Sequence, residues 1–393
     1  MKNRGIDALR MVAMFMVVTL HILTQGGVLN ASVRFTSQYE AGWFLQTAAF
    51  CAVDVYALIS GYVWACAEYR YRKIIELWLQ VAVYTVSITV LLCFLIPSSV
   101  SATQWLKAFF PVMSGQYWYF SSYVALFLFI PLLNMILEKM EKRQLRFCLG
   151  MILLFFSCFQ TLFYSDVFGT NDGYSAIWLM ILYLVGGYIR KYGHGENGKP
   201  AKFFAGYLIM IGLTWLSKLV IELLTLNVLG EVRAGNYLIS YKSPTILLAA
   251  VCLLLFFEKL TIPPVLQKMI RHLSPMSFGV YLIHNHPLIF THCLKGRFAG
   301  CSALPWPVEI LSVLGIAVCI NLICYIIDFA RLELFKRLHM ASIRQLRGTY
   351  PSERYRIRKA TMTSSINGRE PAEENWEKLM WESKQAAQGY RPI

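Results

Sequence analysis

The sequence predicts an all-α polytopic membrane protein of about ten transmembrane helices, with both termini on the cytoplasmic side. Three observations carry that prediction: an apolar share of 57% against a charged share of 15%, apolar runs long enough to cross a bilayer, and basic residues gathered in alternate loops. Soluble domains run about 45–50% apolar and about 25% charged. With 10 Trp, 22 Tyr and 25 Phe in 393 residues, a soluble fold would have too little surface to hide its apolar area. Disordered, collagen-like and disulfide-scaffold classes fail on the same numbers.

A spanning helix needs about 20 mostly apolar residues. The candidate segments are 6–25, 44–66, 74–96, 118–137, 146–164, 175–190, 203–226, 240–257, 273–293 and 306–329. The sixth and eighth have the shortest apolar cores, Ile177–Ile189 and Thr245–Phe257. The first is not a signal peptide, because its apolar run is too long, contains His21 and lacks an A-x-A cleavage site. Loop charge retains the two short segments. With the N-terminus inside, the cytoplasmic loops hold 14 basic residues and the outer loops 6. Omitting segments six and eight would move Arg190, Lys191, Lys199 and Lys202 outside, against the positive-inside rule. The same topology absorbs most of the net charge of +15, so no nucleic-acid partner is needed.

Two domains follow: a ten-helix membrane domain over residues 1–330 and a basic cytoplasmic tail over 331–393, partly disordered. The tail has 13 Lys and Arg against 7 Asp and Glu. Its Arg344–Lys359 stretch suits anionic headgroups. Residues 371–388 read as a short helix, with Pro371 at its first position, Glu373 and Glu374 in its first turn, and a Glu374–Lys378 pair. Eight of the ten cysteines lie in apolar stretches with no metal-type spacing, so no metal site is expected; Cys293 and Cys301 flank a short loop and are the candidates for pairing. No internal repeat of the kind many transporters carry is visible.

Ionisable groups within spans are costly, and each is a functional hypothesis by default. The first segment holds Arg4, Asp7, Arg10 and His21. Arg10 and His21 are eleven residues apart, which places them on one helix face about 16 Å apart along the axis. Asp7 lies one turn before Arg10, where it can hold the guanidinium; both are also ordinary residues for headgroup depth. Thr19, Thr24 and Gln25 beside His21 suggest a hydrated cavity, although a lone histidine also suits packing. Asp54, midway along an apolar helix, must be protonated or partnered, so a structural ion pair is the competing account. Ser60-Gly61-Tyr62 follow it, and Arg70, Arg72 and Lys73 close that helix as a topology signal or as a phosphate-binding mouth. Gln116-Tyr117-Trp118-Tyr119 fits an aromatic belt or a sugar-stacking platform. Lys218 and Glu222 are spaced to neutralise each other. His284, with Asn285, precedes a proline kink and either lines the cavity or bonds a neighbouring helix.

These residues resemble the membrane acyltransferase-3 family. The resemblance rests on Arg4-Gly5-Ile6-Asp7-Ala8-Leu9-Arg10 running to His21, then Ala52-Val53-Asp54-Val55 through Ser60-Gly61-Tyr62. Tyr117-Trp118-Tyr119 leading to Pro131 and Ser277-Phe278-Gly279-Val280-Tyr281-Leu282-Ile283-His284 complete it, all in the family's order. It covers about residues 1–330. Tyr56-Ala57 stand where the family usually has paired Phe, and Ile74-Ile75-Glu76 lacks the family's proline.

The resemblance implies transfer of an acyl group, most often acetyl, from cytosolic acyl-coenzyme A to a hydroxyl of a cell-envelope polysaccharide or lipid-linked sugar, in a bacterial cytoplasmic membrane. On that reading Arg10, Arg70, Arg72 and Lys73, with Ser60 and Tyr62, bind the donor, and His21, with Asp7 and Arg10, forms the catalytic set. Asp54, Trp118, Tyr119, His284 and Asn285 line the acceptor cavity. The bilayer, acyl-coenzyme A and the glycan are the expected partners, and a homo-oligomer stays open. A multi-pass transporter or flippase of an envelope precursor, or a sensor module on the same membrane fold, is the alternative.

Overall fold

A computed structural model describes residues 3–65, 67–193 and 198–349, with side chains through Arg337. The chain divides between Phe329 and Ala330 into two units. The first is helical, with no strand among the described residues. The helices are α1 (Arg4–Leu23), α2 (Ser37–Phe50), α3 (Ala52–Trp64), α4 (Arg72–Leu95), α5 (Ala102–Phe109), α6 (Trp118–Lys139), α7 (Lys142–Leu153), α8 (Ala176–Tyr192), α9 (Pro200–Leu229), α10 (Pro244–Lys259), α11 (Pro264–Leu273), α12 (Ser277–His284) and α13 (Trp306–Thr349). Of the second unit, only the end of α13 is described; much of the Arg344–Lys359 stretch and all of the helix expected at 371–388 lie outside the described residues.

Among the described residues, seven helical stretches are long and apolar enough to cross a membrane. They are Arg4–Ala31, Ser37–Trp64, Arg72–Leu95, Trp118–Lys139, Lys142–Leu162, Pro200–Leu229 and Trp306–Arg337. Expected segments six and eight become α8, of 17 residues, and α10, of 16. The expected span 273–293 is interrupted. Pro287 offers no N–H and disfavours a helical residue before it, so His286 is extended with ψ 127°. The segment therefore breaks into α12, a single turn Pro287–Ile289 and a π-helical stretch Phe290–Leu294.

The core is organised on α1, which packs against α2, α3, α10, α11 and α12. Asn3 caps it by accepting from the Gly5 N–H at 2.8 Å, and its amide donates to the Glu258 carbonyl at 2.9 Å. That second bond fixes the start of α1 to the end of α10. Gly5 makes the approach feasible, since a Cβ there would lie 1.7 Å from the Phe257 carbonyl oxygen. A second close crossing joins α3 to α8. A Cβ on Gly61 would lie 1.9 Å from the Tyr183 oxygen, and one on Gly186 would lie 2.1 Å from the Leu58 oxygen. Two backbones meet where both helices carry glycine, the small-residue packing that membrane helices favour.

The second helix starts earlier than the apolar run suggested, at Ser37 rather than residue 44. Thr36 caps it by accepting from the Tyr39 N–H, and Glu40 is absorbed by Lys218. Lys218 is fully buried, 2.9 Å from Glu222 and 3.2 Å from Glu40, with the Tyr39 ring 3.9 Å from its ammonium. The expected Lys218–Glu222 pair is thus one part of a cluster of one cation and two carboxylates. Cys293 and Cys301 are both free thiols. The suggestion that they pair is corrected: the π-helical stretch carrying Cys293 leaves its side chain exposed, and no bond joins it to Cys301.

Candidate active site

A cavity of about 510 Å³ opens beside the C-terminal half of α1, which contributes Met14, Val17, Leu20 and His21 to its wall. Gln46, Phe50, Val53 and Tyr56 come from α2 and α3. Gly115, Gln116, Trp118 and Tyr119 come from the turn before α6 and from its start, and Phe278, Tyr281 and Asn285 from α12 and its end. Tyr174 and Tyr241 close the far side. The lining is largely aromatic: Phe50 stacks on Tyr241 at 4.6 Å, and Trp118 packs against Tyr174 at 4.6 Å. Among the aromatic rings stand a few polar side chains, the usual composition of a pocket that orients a small substrate.

Among the described residues, His21 is the only ionisable residue of the wall apart from tyrosines. Its Nδ1 lies 3.0 Å from Nε2 of His284, and Nδ1 of His284 lies 2.6 Å from the Val280 carbonyl oxygen. A carbonyl can only accept, so His284 carries its proton on Nδ1. With both rings neutral, Nε2 of His284 is an acceptor, and His21 donates to it from Nδ1. The lone pair of His21 is thereby left on Nε2. The resulting chain, from carbonyl to His284 to His21, fixes both the tautomer and the orientation of the cavity histidine.

Asp7 and Arg10 pair at 3.0 Å, one turn apart on α1, and Arg4 holds the other Asp7 oxygen at 3.2 Å. Arg10 is also tied through its backbone, because the Tyr56 hydroxyl donates to its carbonyl at 2.6 Å. Tyr56 is itself a wall residue, so it links the Arg10 turn to the cavity. Trp118, Tyr119 and Asn285 are wall residues, and His284 stands behind His21.

Other expected residues fall elsewhere. Asp54 is 0% exposed and lies outside the wall, accepting from the Trp178 indole at 3.1 Å. Its neighbours Val53 and Tyr56 face the cavity because the helical turn directs Asp54 away from it. Ser60 donates to the Tyr56 carbonyl at 2.9 Å, closing back on its own helix. Tyr62 donates to Glu258 at 2.9 Å and accepts from Arg190 at 3.2 Å. Arg70, Arg72 and Lys73 are exposed and engaged by Glu68 and Glu76, next to them in sequence. None of these six lines the cavity.

The sequence reading missed Gln46, Phe50, Tyr56, Tyr174 and Tyr241 as wall residues, and Val280 as the carbonyl behind His284. Tyr241 had a signal: it precedes the Lys242-Ser243-Pro244 start of a short helix, too polar for a lipid-facing residue. Phe50 and Tyr174 had none, since any aromatic residue near a membrane surface reads as a belt.

A multi-pass helical protein with a half-buried, oriented histidine in an aromatic cavity suits group transfer within a membrane. An acyltransferase-domain family model matches residues 3–326, and the chain belongs to the membrane acyltransferase-3 family. It is thereby a membrane acyltransferase. No curated protein and no solved structure matches it.

Proposed function

We propose that the protein transfers an acyl group, acetyl by preference, from cytosolic acyl-coenzyme A to a hydroxyl of an envelope glycan or lipid-linked sugar in a bacterial cytoplasmic membrane. The observation that carries this reading is the Val280–His284–His21 chain in the cavity wall. In this scheme His21 Nε2 accepts the proton of the acceptor hydroxyl as its oxygen attacks the thioester carbonyl. The tetrahedral intermediate collapses by breaking the carbon–sulfur bond, and the proton on Nε2 passes to the departing thiolate. One ester forms, one thioester breaks, and His21 returns to its starting tautomer. The wall amides Gln25, Gln46, Gln116 and Asn285 are available to donate to the oxyanion.

Arg10 is the donor-side residue. Coenzyme A is a polyanion, and the pantetheine arm roughly matches the axial separation of Arg10 and His21, about 16 Å. Arg70, Arg72 and Lys73 contribute a basic surface for the same phosphates, on condition that their bonds to Glu68 and Glu76 exchange. The donor geometry requires the N-terminus of α1 to face the cytoplasm. In the same reading α8, α10 and the interrupted 273–294 stretch cross with the seven long helices, which makes ten spans and puts both termini inside. The distribution of 14 basic residues against 6 supports that orientation.

The test is radiolabelled acetyl-coenzyme A presented to purified protein in detergent, with and without envelope glycan. Acyl release or transfer by the native protein and its loss in His21→Ala are expected. A donor left intact by the native protein would sink the reading and favour a transporter.

A further inference from the structure

We propose that a second, polar recess beside the main cavity is the acceptor subsite, and that it selects sugars bearing an anionic group through Lys107. The inference rests on the acyltransferase reading, and names the substrate class of that site. The recess has a volume of about 260 Å³ and shares Gly115, Gln116 and Pro287 with the main cavity. Its other side chains include Thr89, Gln104, Lys107, Ser114 and His286, with no carboxylate among them. The main cavity is aromatic and holds the histidine; this one is lined by hydrogen-bonding groups and one cation.

The orientation of α5 makes the recess meaningful. Gln104 and Lys107 lie three residues apart and share a face, which looks into the recess. Leu106 and Phe109 lie on the opposite side and are 62% and 54% exposed. Lys107 is itself exposed, so its ammonium stands at the mouth of the recess, with half-buried Gln104 beside it. The Thr85 hydroxyl donates to the Ala108 carbonyl at 2.7 Å, which holds α5 against α4 beside the recess. Lys107 has no acidic partner among the described residues, so its charge is available to a ligand.

The junction between the two spaces is open. Gly115 has φ +62°, and nothing lies within 4 Å of where its Cβ would stand. Beside it, the Gln116 Oε1 is buried without a hydrogen-bond partner. A hydroxylated ring in the recess satisfies that atom while one hydroxyl passes Gly115 toward His21. The sugar ring supplies hydroxyls for Gln104, Ser114 and Gln116, and its carboxylate or phosphate supplies the counter-charge for Lys107.

The experiment uses the full chain in lipid nanodiscs. Glucose, glucuronate and glucose 1-phosphate are titrated against it by saturation-transfer NMR, alongside Lys107→Ala and Lys107→Arg. Both anionic probes are expected to bind roughly tenfold more tightly than glucose, the value of one charge-assisted hydrogen bond. Lys107→Ala should erase that preference and Lys107→Arg should keep it, while glucose binding stays level. If only one anionic probe shows the preference, the ligand carries that group. Equal affinity for all three, no saturation transfer from either anionic probe, or a preference that survives Lys107→Ala overturns the proposal. Acceptor-free hydrolysis of acetyl-coenzyme A is measured on the same samples. Its absence from the native protein would count against the acyltransferase reading alone, leaving the probe result to judge the recess.

Discussion

His21 acquires its proposed role from a residue 263 positions away. In isolation a neutral histidine exchanges between two tautomers; held against His284 it keeps one, with the lone pair on Nε2. His21→Ala should lower transfer by about 10²–10⁴-fold, the usual contribution of a general base, with expression and thermal stability close to native. His284→Ala should cost about 10–100-fold through loss of that orientation, whereas His284→Gln, whose amide oxygen can accept from His21 Nδ1, should restore much of the rate. A rate for His284→Gln no better than for His284→Ala would remove the orienting role. Arg10→Ala should raise the apparent KM for acetyl-coenzyme A and leave that for the acceptor unchanged; steady-state kinetics with each substrate varied in turn separates the two. The α1 residues were readable in the sequence because their relationship is local, with one helix fixing the spacing of Asp7, Arg10 and His21. The His21–His284 contact depends on two distant segments meeting, and no periodicity encodes that. Asp54 marks the boundary between these cases: its need for a partner was evident, but its partner, the Trp178 indole, was not.

At the scale of the element, apolar run length located α1, α4, α6, α9 and α13, since a lipid-facing helix must be apolar along its length. It shortened α2, because Ser37-Gln38-Tyr39-Glu40 reads as loop until Lys218 neutralises Glu40. It merges the pieces of 273–294, where the sequence predicts a kink at Pro287 and the helix instead breaks. The α3–α8 crossing is constrained from both sides, with each glycine facing the other helix's backbone. Gly61→Ala and Gly186→Ala should each destabilise by about 1–3 kcal/mol as the overpacked helices separate. The double substitution should cost less than the sum, because one separation relieves both clashes. Thermal midpoints of the detergent-purified variants measure this; strictly additive losses would place the two glycines in independent contacts.

The whole molecule keeps its family-matched region, residues 3–326, within the first unit, which ends at Phe329. A chain ended after Ala330 still leaves α13 about 25 residues, enough to span. It should fold, insert and acylate at close to the native rate, as measured by size-exclusion profile and labelled transfer. The cluster of half-buried Glu40 with buried Lys218 and Glu222 bears on how the molecule is made. Lys218 and Glu222 leave the ribosome one turn apart and can enter the bilayer as a neutral pair. Glu40 emerges 178 residues before the lysine that accepts it. During synthesis α2 therefore has a carboxylate without its countercharge until most of the chain exists, and its final seating must follow that of α9. Nascent chains arrested before Lys218 should be recognised as unfinished by membrane quality control and degraded, whereas those arrested after α9 should persist.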